Sequence, residues 1–253
     1  MAESGAPPPR RFPASLPSNA GHAASPKTPP LRAQIAPTGL GLDSAAIRAR
    51  MVARLQNQRI GNATIWEAML RVPRHQFVDA ALAAQAYEDT ALPIGHGQTI
   101  SKPSSVAQLL VAIGVSGRVR LKRVLDIGSG CGYQASVLAL VCDQVLSMER
   151  IEALHLKAVA NTAALRLHNL RLIYADAHEL PVRYGQFDAI VSAACAGDVP
   201  PVWFERLALG GVLVAPVGQR EQHLVRVQRV GEKQFTRDVL EGVNFVPLQS
   251  GKR

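Results

Sequence analysis

The chain has 253 residues, of which 47% are hydrophobic, and a formal net charge of +9. That length and apolar content suit one substantial core, and no run of about 18 uncharged apolar residues predicts a membrane span. The basic residues are dispersed, which speaks against specific nucleic-acid binding, and three scattered cysteines exclude a disulfide framework or a cysteine-rich zinc site.

The N-terminal segment, residues 1–43, is predicted to be disordered. It contains nine of the seventeen prolines, with alanine, serine and glycine around them. Such a composition buries too little apolar surface to offset the entropy cost of ordering the chain. It also lacks the apolar region of a secretory signal, which together with the odd number of cysteines indicates a cytoplasmic protein. The folded domain is therefore predicted to cover residues 44–253.

Residues 44–114 are predicted to form a helical part with one long loop. In the first helix, Ile47, Met51 and Leu55 recur at helical spacing and so share one face. Pro103 suits the first turn of the last helix, where a missing N–H loses no hydrogen bond. The predicted helices cover residues 44–59, 62–72, 75–87 and 103–115, and a loop rich in glycine and proline covers residues 92–103.

Residues 123–253 alternate between predicted strands and helices. This alternation predicts a mostly parallel sheet with helices on both faces. The fold class is therefore predicted as α/β and Rossmann-like, with the helical part as an N-terminal extension and with residues 223–248 as a closing hairpin and strand. The other strands are predicted over residues 123–128, 144–150, 170–176, 187–194 and 211–218, and the helices over residues 132–142, 151–167 and 201–209.

A glycine-rich turn connects the first predicted strand of this sheet to the helix that follows. Gly128, Gly130 and Gly132 alternate in the stretch IGSGCGY. Glycine permits a tight turn and lets a ligand touch the backbone, and amides at the helix start would face that ligand. Because strand, glycine turn and helix follow in this order, the stretch predicts a nucleotide-type ligand.

An acid and a tyrosine near this turn distinguish between two cofactor classes. The dinucleotide fingerprint needs a small residue where this chain has Tyr133. Asp126, two residues before the first glycine, would attract an ammonium group and repel a pyrophosphate. S-adenosylmethionine carries an ammonium group and no phosphate. The turn therefore predicts S-adenosylmethionine as cofactor, with S-adenosylhomocysteine as product.

Two further acids end the next two predicted strands. Glu149 lies about twenty residues beyond the turn, where an acid commonly accepts both ribose hydroxyls of a nucleoside. Asp176 would accept from the adenine amino group, although on its own it is equally compatible with a helix cap. Asp126, Glu149 and Asp176 thus end consecutive strands, along the rim where open α/β sheets bind their ligands.

The chain contains, in order, the motifs AYEDTALPIGHGQTIS, VLDIGSGCGYQASVLA, MERI, FDAIV, GGVLVAPVG and FVPL. In this order they resemble the protein-L-isoaspartate (D-aspartate) O-methyltransferase family, a group of class I S-adenosylmethionine-dependent methyltransferases. The resemblance extends from Ala46 to Leu248. It implies methylation of the free α-carboxyl group of L-isoaspartyl residues in damaged proteins and peptides. The ester then closes to a succinimide, which reopens partly to normal aspartate.

The resemblance also implies roles for individual residues. Ser101, in the motif TIS, matches the catalytic serine of the family, although its position before a predicted helix also fits a plain cap. We place the substrate beside Thr99, Ile100, Ser192 and Val246. The matching cofactor positions are Gly128, Ser129, Gly130, Glu149, Asp176 and Ala177, to which the turn itself adds Asp126 and Gly132.

The predicted reaction needs few chemical groups from the protein. A carboxylic acid with a pKa of about 4 is already ionised at neutral pH, so the acceptor needs no general base and no metal. We expect a monomer that acts on isoaspartyl proteins and binds neither a specific nucleic acid nor a membrane. Two alternatives remain: a related methyltransferase with another acceptor, such as a small carboxylate or RNA, and a non-catalytic binding protein that has kept the fold.

Overall fold

A computed structural model describes residues 45–253 of the chain. The predicted disordered segment, residues 1–43, lies outside these described residues. Three α-helices form the N-terminal part, and each agrees with a predicted helix: α1 spans Ala45–Asn57, α2 spans Ala63–Arg71 and α3 spans Pro103–Ala112. Asn62 caps α2, since its side chain accepts a hydrogen bond from the amide of Ile65 at 3.2 Å.

The helix predicted over residues 75–87 is instead a pair of 3₁₀ helices, Arg74–Phe77 and Ala80–Gln85. Val78 and Asp79 between them have extended backbones, so a continuous α-helix is interrupted there. The prediction of helical structure is thus right in place and wrong in type.

The loop predicted over residues 92–103 contains a small antiparallel hairpin. Strand β1 spans Leu92–Gly95 and strand β2 spans Gln98–Ile100. His96 and Gly97 join them with φ angles of 53° and 70°. Two successive positive φ angles are typical of the tight turns that connect twisted strands. The density of glycine and proline concealed this alternation in the sequence.

The main sheet has seven strands in the order β5-β4-β3-β6-β7-β8-β9, of which the first five are parallel and the last two antiparallel. The α/β prediction is therefore confirmed, including its antiparallel edge. The strands are β3 Arg123–Ile127, β4 Gln144–Glu149, β5 Leu170–Tyr174, β6 Phe187–Ser192, β7 Leu207–Gly218, β8 Gln222–Arg229 and β9 Phe235–Val243.

Three helices connect the parallel strands: α4 Tyr133–Val141, α5 Glu152–Ala163 and α6 Pro201–Glu205. The predicted helix over residues 201–209 ends early, because Leu207 is fully buried and already pairs with Phe187 of β6. Both faces of the sheet are covered. Val124 and Val145 belong to one buried cluster and Leu125 and Leu146 to the other, as expected of a parallel sheet inside an α/β fold.

Strand β3 lies where the order of the chain reverses, with β4 on one side and β6 on the other. In open α/β sheets the crevice beyond the carboxyl ends of the strands at such a point is the usual ligand site. The glycine turn leaves β3 at this end. Within residues 45–253, no helix is long and apolar enough to cross a membrane.

Candidate active site

A cleft of about 840 Å³, open solvent included, lies at the carboxyl ends of β3, β4, β5 and β6. The glycine turn forms its floor, hairpin β1–β2 one wall, and residues 246–249 another. Most of the predicted site residues line it: Thr99, Ile100, Ser101, Gly128, Ser129, Gly130, Glu149, Asp176, Ala177 and Val246.

The glycine turn requires its glycines for backbone geometry and for packing. Gly128, Gly130 and Gly132 have φ angles of 86°, 53° and 91°, in the region that other residues rarely adopt. A Cβ atom on Gly132 would lie 3.0 Å from the Cγ2 atom of Thr162 on α5. Gly132, predicted as a cofactor contact, therefore lies behind the cleft surface and allows α4 and α5 to pack closely.

Glu149 is held rigidly at the rim of the cleft. Its Oε2 atom accepts a hydrogen bond from the amide of Gly130 at 2.9 Å, and its Oε1 atom accepts one from the amide of Ile151 at 2.9 Å. The side chain lines the cleft although the residue is only 6% exposed. Two backbone amides thus fix the direction of a carboxylate that faces the ligand site.

Asp126 lies deeper than predicted. It is fully buried, with Oδ1 accepting from Nε2 of Gln134 at 2.7 Å and Oδ2 from Oγ of Ser147 at 2.6 Å. Gln134 and Ser129 cover it on the cleft side, and the hydroxyl groups of Ser129 and Ser147 are 2.5 Å apart. Both oxygens of Asp126 thus have internal partners, so an attraction between Asp126 and an ammonium group in the cleft would act through charge across the covering side chains.

Burial raises the pKa of Asp126 from 3.8 to about 6, although hydrogen bonds from Ser147 and Gln134 oppose the shift. The carboxyl group of Asp126 therefore stays protonated in the folded protein at pH values at which it is already ionised in the unfolded chain. The stability that results is fully present below the unfolded pKa and is lost as the pH rises through about 6. A shift of this size corresponds to about 3 kcal/mol.

Replacing Asp126 with asparagine should accordingly raise the free energy of unfolding at neutral pH. Asparagine imitates the neutral acid, so the stability advantage of Asp126→Asn should grow between about pH 4 and about pH 7, towards about 3 kcal/mol. Urea unfolding of both proteins across this range measures the difference. A difference that stays constant with pH would show that Asp126 does not titrate in this way.

Asp176 follows β5, which ends at Tyr174, and is also held by several donors. Its Oδ1 atom accepts from the amide of His178 at 2.9 Å, and its Oδ2 atom accepts from the amide of Gly251 at 2.5 Å. Burial acts to raise its pKa, but the hydrogen bonds from His178 and Gly251 prevail and hold the pKa below its ordinary value. Asp176 therefore stays ionised at the rim of the cleft, beside Ala177.

The last residues of the chain lie along the same rim, which the sequence did not predict. Arg150 donates from Nε to the carbonyl oxygen of Gly251 at 2.6 Å and from Nη1 to Oε1 of Gln249 at 3.1 Å. The amide of Arg253 donates to the carbonyl oxygen of Arg150 at 2.9 Å. The guanidinium group of Arg150 is thus occupied by this segment, at the edge of the cleft.

A second, more open groove adjoins the cleft. It lies between α3 and the turn from β7 to β8, where Lys102 and Arg220 contribute to its lining. Four residues line both spaces: Thr99, Ser101, Ala193 and Val246. A molecule in the groove would therefore meet a molecule in the cleft at Ser101.

Ser101 is half-buried, and its hydroxyl group has no hydrogen-bond partner among residues 45–253. A hydroxyl group before a helix can form an anion site together with the free amides of the helix start. Here two of these amides do not contribute: Pro103 has no N–H, and the amide of Ser104 donates to Oδ1 of Asp89 at 2.8 Å. Ser101 thus lines both spaces and carries a hydroxyl group without a hydrogen-bond partner among residues 45–253.

Ser192 is fully buried, and its hydroxyl group donates to the carbonyl oxygen of Ala194 at 2.8 Å. It shapes the end of β6, while Ala193 and Ala194 line the cleft. The predicted substrate contact of Ser192 is therefore not compatible with its position.

Val246 does line both spaces, and its carbonyl oxygen accepts from the amide of Cys195 at 2.7 Å. The FVPL motif thus extends the sheet and forms a wall of the site.

Gln134 is a polar residue of the site that was not predicted from the sequence. It lines the cleft and holds Asp126. A signal for it exists, since it is the one amide side chain in the largely apolar helix YQASVLALV.

The chemistry of the cleft fits S-adenosylmethionine better than a phosphate-bearing cofactor. Glu149 and Asp176 place two carboxylates at the rim, and Asp126 adds a third acid below the floor. Among residues 45–253, Arg150 is the one lysine or arginine that lines the cleft, and its guanidinium group is bound to Gln249 and Gly251. Such a site attracts an ammonium group and repels a pyrophosphate.

Comparison with known proteins supports the same assignment. The family model for protein-L-isoaspartate(D-aspartate) O-methyltransferase matches residues 46–253. The chain is 49% identical over 221 residues to the protein-L-isoaspartate O-methyltransferase of Methylibium petroleiphilum, covering 85% of this chain and 81% of that protein. It is 51% identical over 221 residues to the protein of the same name from Burkholderia lata, covering 86% of this chain and 71% of that protein.

A solved structure shares the fold. The crystal structure of a protein-L-isoaspartate O-methyltransferase from Plasmodium falciparum, in complex with S-adenosyl-L-homocysteine, aligns with a TM-score of 0.70 at 24% identity. The alignment covers 80% of this chain and 98% of that chain. Since the identity is low, this match speaks for the fold alone.

Proposed function

The chain belongs to the protein-L-isoaspartate O-methyltransferase family, and on this premise we propose that the cleft is its cofactor site and the groove its acceptor site. The protein is an S-adenosylmethionine-dependent methyltransferase with the Rossmann-like class I fold. It methylates isoaspartyl residues in damaged proteins and so takes part in their repair. We further propose that the catalytic domain comprises residues 44–253.

One observation carries the proposed assignment of the two spaces. The cleft and the groove are both lined by Thr99, Ser101, Ala193 and Val246. A methyl transfer needs donor and acceptor in contact and in line. The shared residues are therefore the place where the acceptor carboxylate would meet the methyl group.

The residues of the rim and of the turn would hold the cofactor. Glu149 would accept from the ribose hydroxyls and Asp176 from the adenine amino group. Asp126 would add negative charge below Ser129 and Gln134, complementary to a cationic ligand. When bound, S-adenosylmethionine supplies a methyl group on a positively charged sulfur, and S-adenosylhomocysteine is the product.

The acceptor would need orientation more than activation. Its carboxylic acid, with a pKa of about 4, is ionised at neutral pH, so no side chain has to remove a proton. The Ser101 hydroxyl would donate to one oxygen of this carboxylate and so direct the other. Ile100 and Val246, which line the cleft, would help to exclude water.

The open groove supports a polypeptide as acceptor, because it lies at the surface beside exposed Lys102 and Arg220. We propose that the enzyme works as a monomer in the cytoplasm and needs neither a specific nucleic acid nor a membrane. Its three cysteines, Cys131, Cys142 and Cys195, are free and buried, which is compatible with a reducing compartment.

A pair of peptides that differ in one linkage tests the proposed function. The protein is incubated with labelled S-adenosylmethionine and either an isoaspartyl peptide or the same peptide with a normal aspartyl residue. We expect base-labile label on the isoaspartyl peptide alone. Label on RNA or on a small carboxylate would indicate another acceptor, and absence of cofactor binding would indicate a non-catalytic protein; either result would contradict the proposal.

A further inference from the structure

Arg74 is a buried arginine that contacts the serine turn, by which we mean residues 101–104. Its Nη2 atom donates to the carbonyl oxygen of Ser101 at 2.7 Å, and its Nε atom donates to the carbonyl oxygen of Ala86 at 2.7 Å. Its Cζ atom lies 4.8 Å from the centre of the Tyr133 ring. Tyr133 begins α4 and lines the cleft. One side chain thus joins the serine turn to the cofactor side of the site.

The burial of Arg74 lowers the stability of the fold more than a purely structural role would require. Arg74 is fully buried, forms no ion pair with a carboxylate in residues 45–253, and its Nη1 atom has no partner there. Burial of this cation lowers the pKa of Arg74, and the attraction of the nearby Asp89 offsets that burial only in part. An apolar side chain of similar volume would avoid the cost in stability. What arginine offers here is a planar fork that binds two carbonyl groups in fixed directions while stacking on a ring.

The other end of the serine turn is held by an acid from the same part of the chain. Asp89 accepts from the amide of Ser104 at 2.8 Å, and it follows the 3₁₀ helix whose last turn leads to Ala86. A cation thus binds a carbonyl oxygen at the first residue of the turn, and an anion binds an amide at the last. Each partner matches the polarity of the backbone group that it holds.

We propose that Arg74 and Asp89 are positioning residues that fix the direction of the Ser101 hydroxyl group towards the acceptor carboxylate. The inference rests on the proposed role of Ser101 and assigns a function to two residues outside the cleft. Neither residue is itself among the residues that line the cleft, so their loss should affect transfer to the peptide more than binding of S-adenosylhomocysteine.

The test is a double-mutant cycle between Arg74→Lys and Ser101→Ala, with kcat/KM for the isoaspartyl peptide as readout. Lysine keeps the charge and loses the fork. In the protein that keeps Ser101, we expect Arg74→Lys to lower kcat/KM by about 10- to 100-fold, the usual factor for the loss of a hydrogen bond to a charged group. In the Ser101→Ala background the same change should cost about threefold or less. The affinity for S-adenosylhomocysteine should change by about twofold at most.

Arg123→Lys is the matched control. Arg123 also donates to two carbonyl oxygens, those of Tyr184 and Gln186, and its Cζ atom lies 5.1 Å from the Phe187 ring centre, but it lies at the opposite end of β3. Arg123→Lys should lower stability without selectively lowering kcat/KM for the peptide. Asp89→Ala, at an exposed position, gives a second variant that keeps the test valid if Arg74→Lys does not fold.

The outcomes separate this inference from the proposed function. Coupling between position 101 and either position 74 or position 89 supports the inference. If the substitutions at positions 74 and 101 lowered kcat/KM by independent factors, the inference would be overturned while the proposed function stands. The same holds if binding of S-adenosylhomocysteine weakened by as much as kcat/KM fell. A wild-type protein that does not methylate the isoaspartyl peptide in the same assay would overturn both.

Discussion

Replacing Glu149 with glutamine should weaken the binding of S-adenosylhomocysteine by about 100-fold, because two ribose hydroxyls would lose a charged acceptor. The carboxylate is fixed by the amides of Gly130 and Ile151, each at 2.9 Å, and the residue is only 6% exposed. Glutamine has nearly the same shape but one acceptor fewer, so one of the two amides also loses its partner. Calorimetric titration of the wild type and of Glu149→Gln measures the change.

Glu152→Gln is a suitable control for this change. Glu152 lies three residues further on, at the exposed start of α5. Removing its charge should alter the affinity for S-adenosylhomocysteine by about twofold or less, since exposed charges act weakly through water. Equal effects of the two substitutions would indicate a general loss of negative charge and would contradict a specific contact at Glu149.

Ser101→Ala should lower kcat for the isoaspartyl peptide by about 10- to 100-fold, the range for a lost hydrogen bond to a charged group. Its hydroxyl group has no partner among residues 45–253, so the substitution breaks no internal hydrogen bond and the melting temperature should hardly change. The affinity for S-adenosylhomocysteine should also stay nearly constant. Steady-state kinetics with saturating cofactor, together with a thermal melt, separate these quantities.

Ser116→Ala provides the matched control, since Ser116 is an exposed serine in the connection between α3 and β3. It should leave kcat unchanged. If Ser101→Ala also left kcat unchanged, the hydroxyl would have no part in transfer. If it lowered stability and cofactor affinity together with kcat, Ser101 would be a structural residue of the turn.

The fold was predictable because its signals are local. Alternation of strands and helices, and a glycine turn between β3 and α4, determine an α/β sheet and the edge at which ligands bind. The errors have local causes too. Positive φ angles at His96 and Gly97 produced a hairpin where the density of glycine and proline indicated a loop.

The site was predictable as a set of rim positions but not in its depth or its long-range contacts. The sequence placed Asp126 correctly near the end of β3, yet only the structure shows that Gln134 and Ser147 enclose it. The bond from Arg74 to Ser101 joins residues 27 positions apart, and that from Gly251 to Asp176 joins residues 75 apart. A single sequence contains no periodicity that reports such pairs.

A crystal structure of the protein with S-adenosylhomocysteine and an isoaspartyl peptide would show whether the cleft holds the cofactor and the groove the acceptor. We expect the ribose against the Glu149 carboxylate. We also expect the isoaspartyl carboxylate in the groove, within hydrogen-bond distance of the Ser101 hydroxyl and facing the sulfur. An adenosyl group bound away from the rim of β3, β4 and β5, or a peptide carboxylate that does not reach Ser101, would contradict this arrangement.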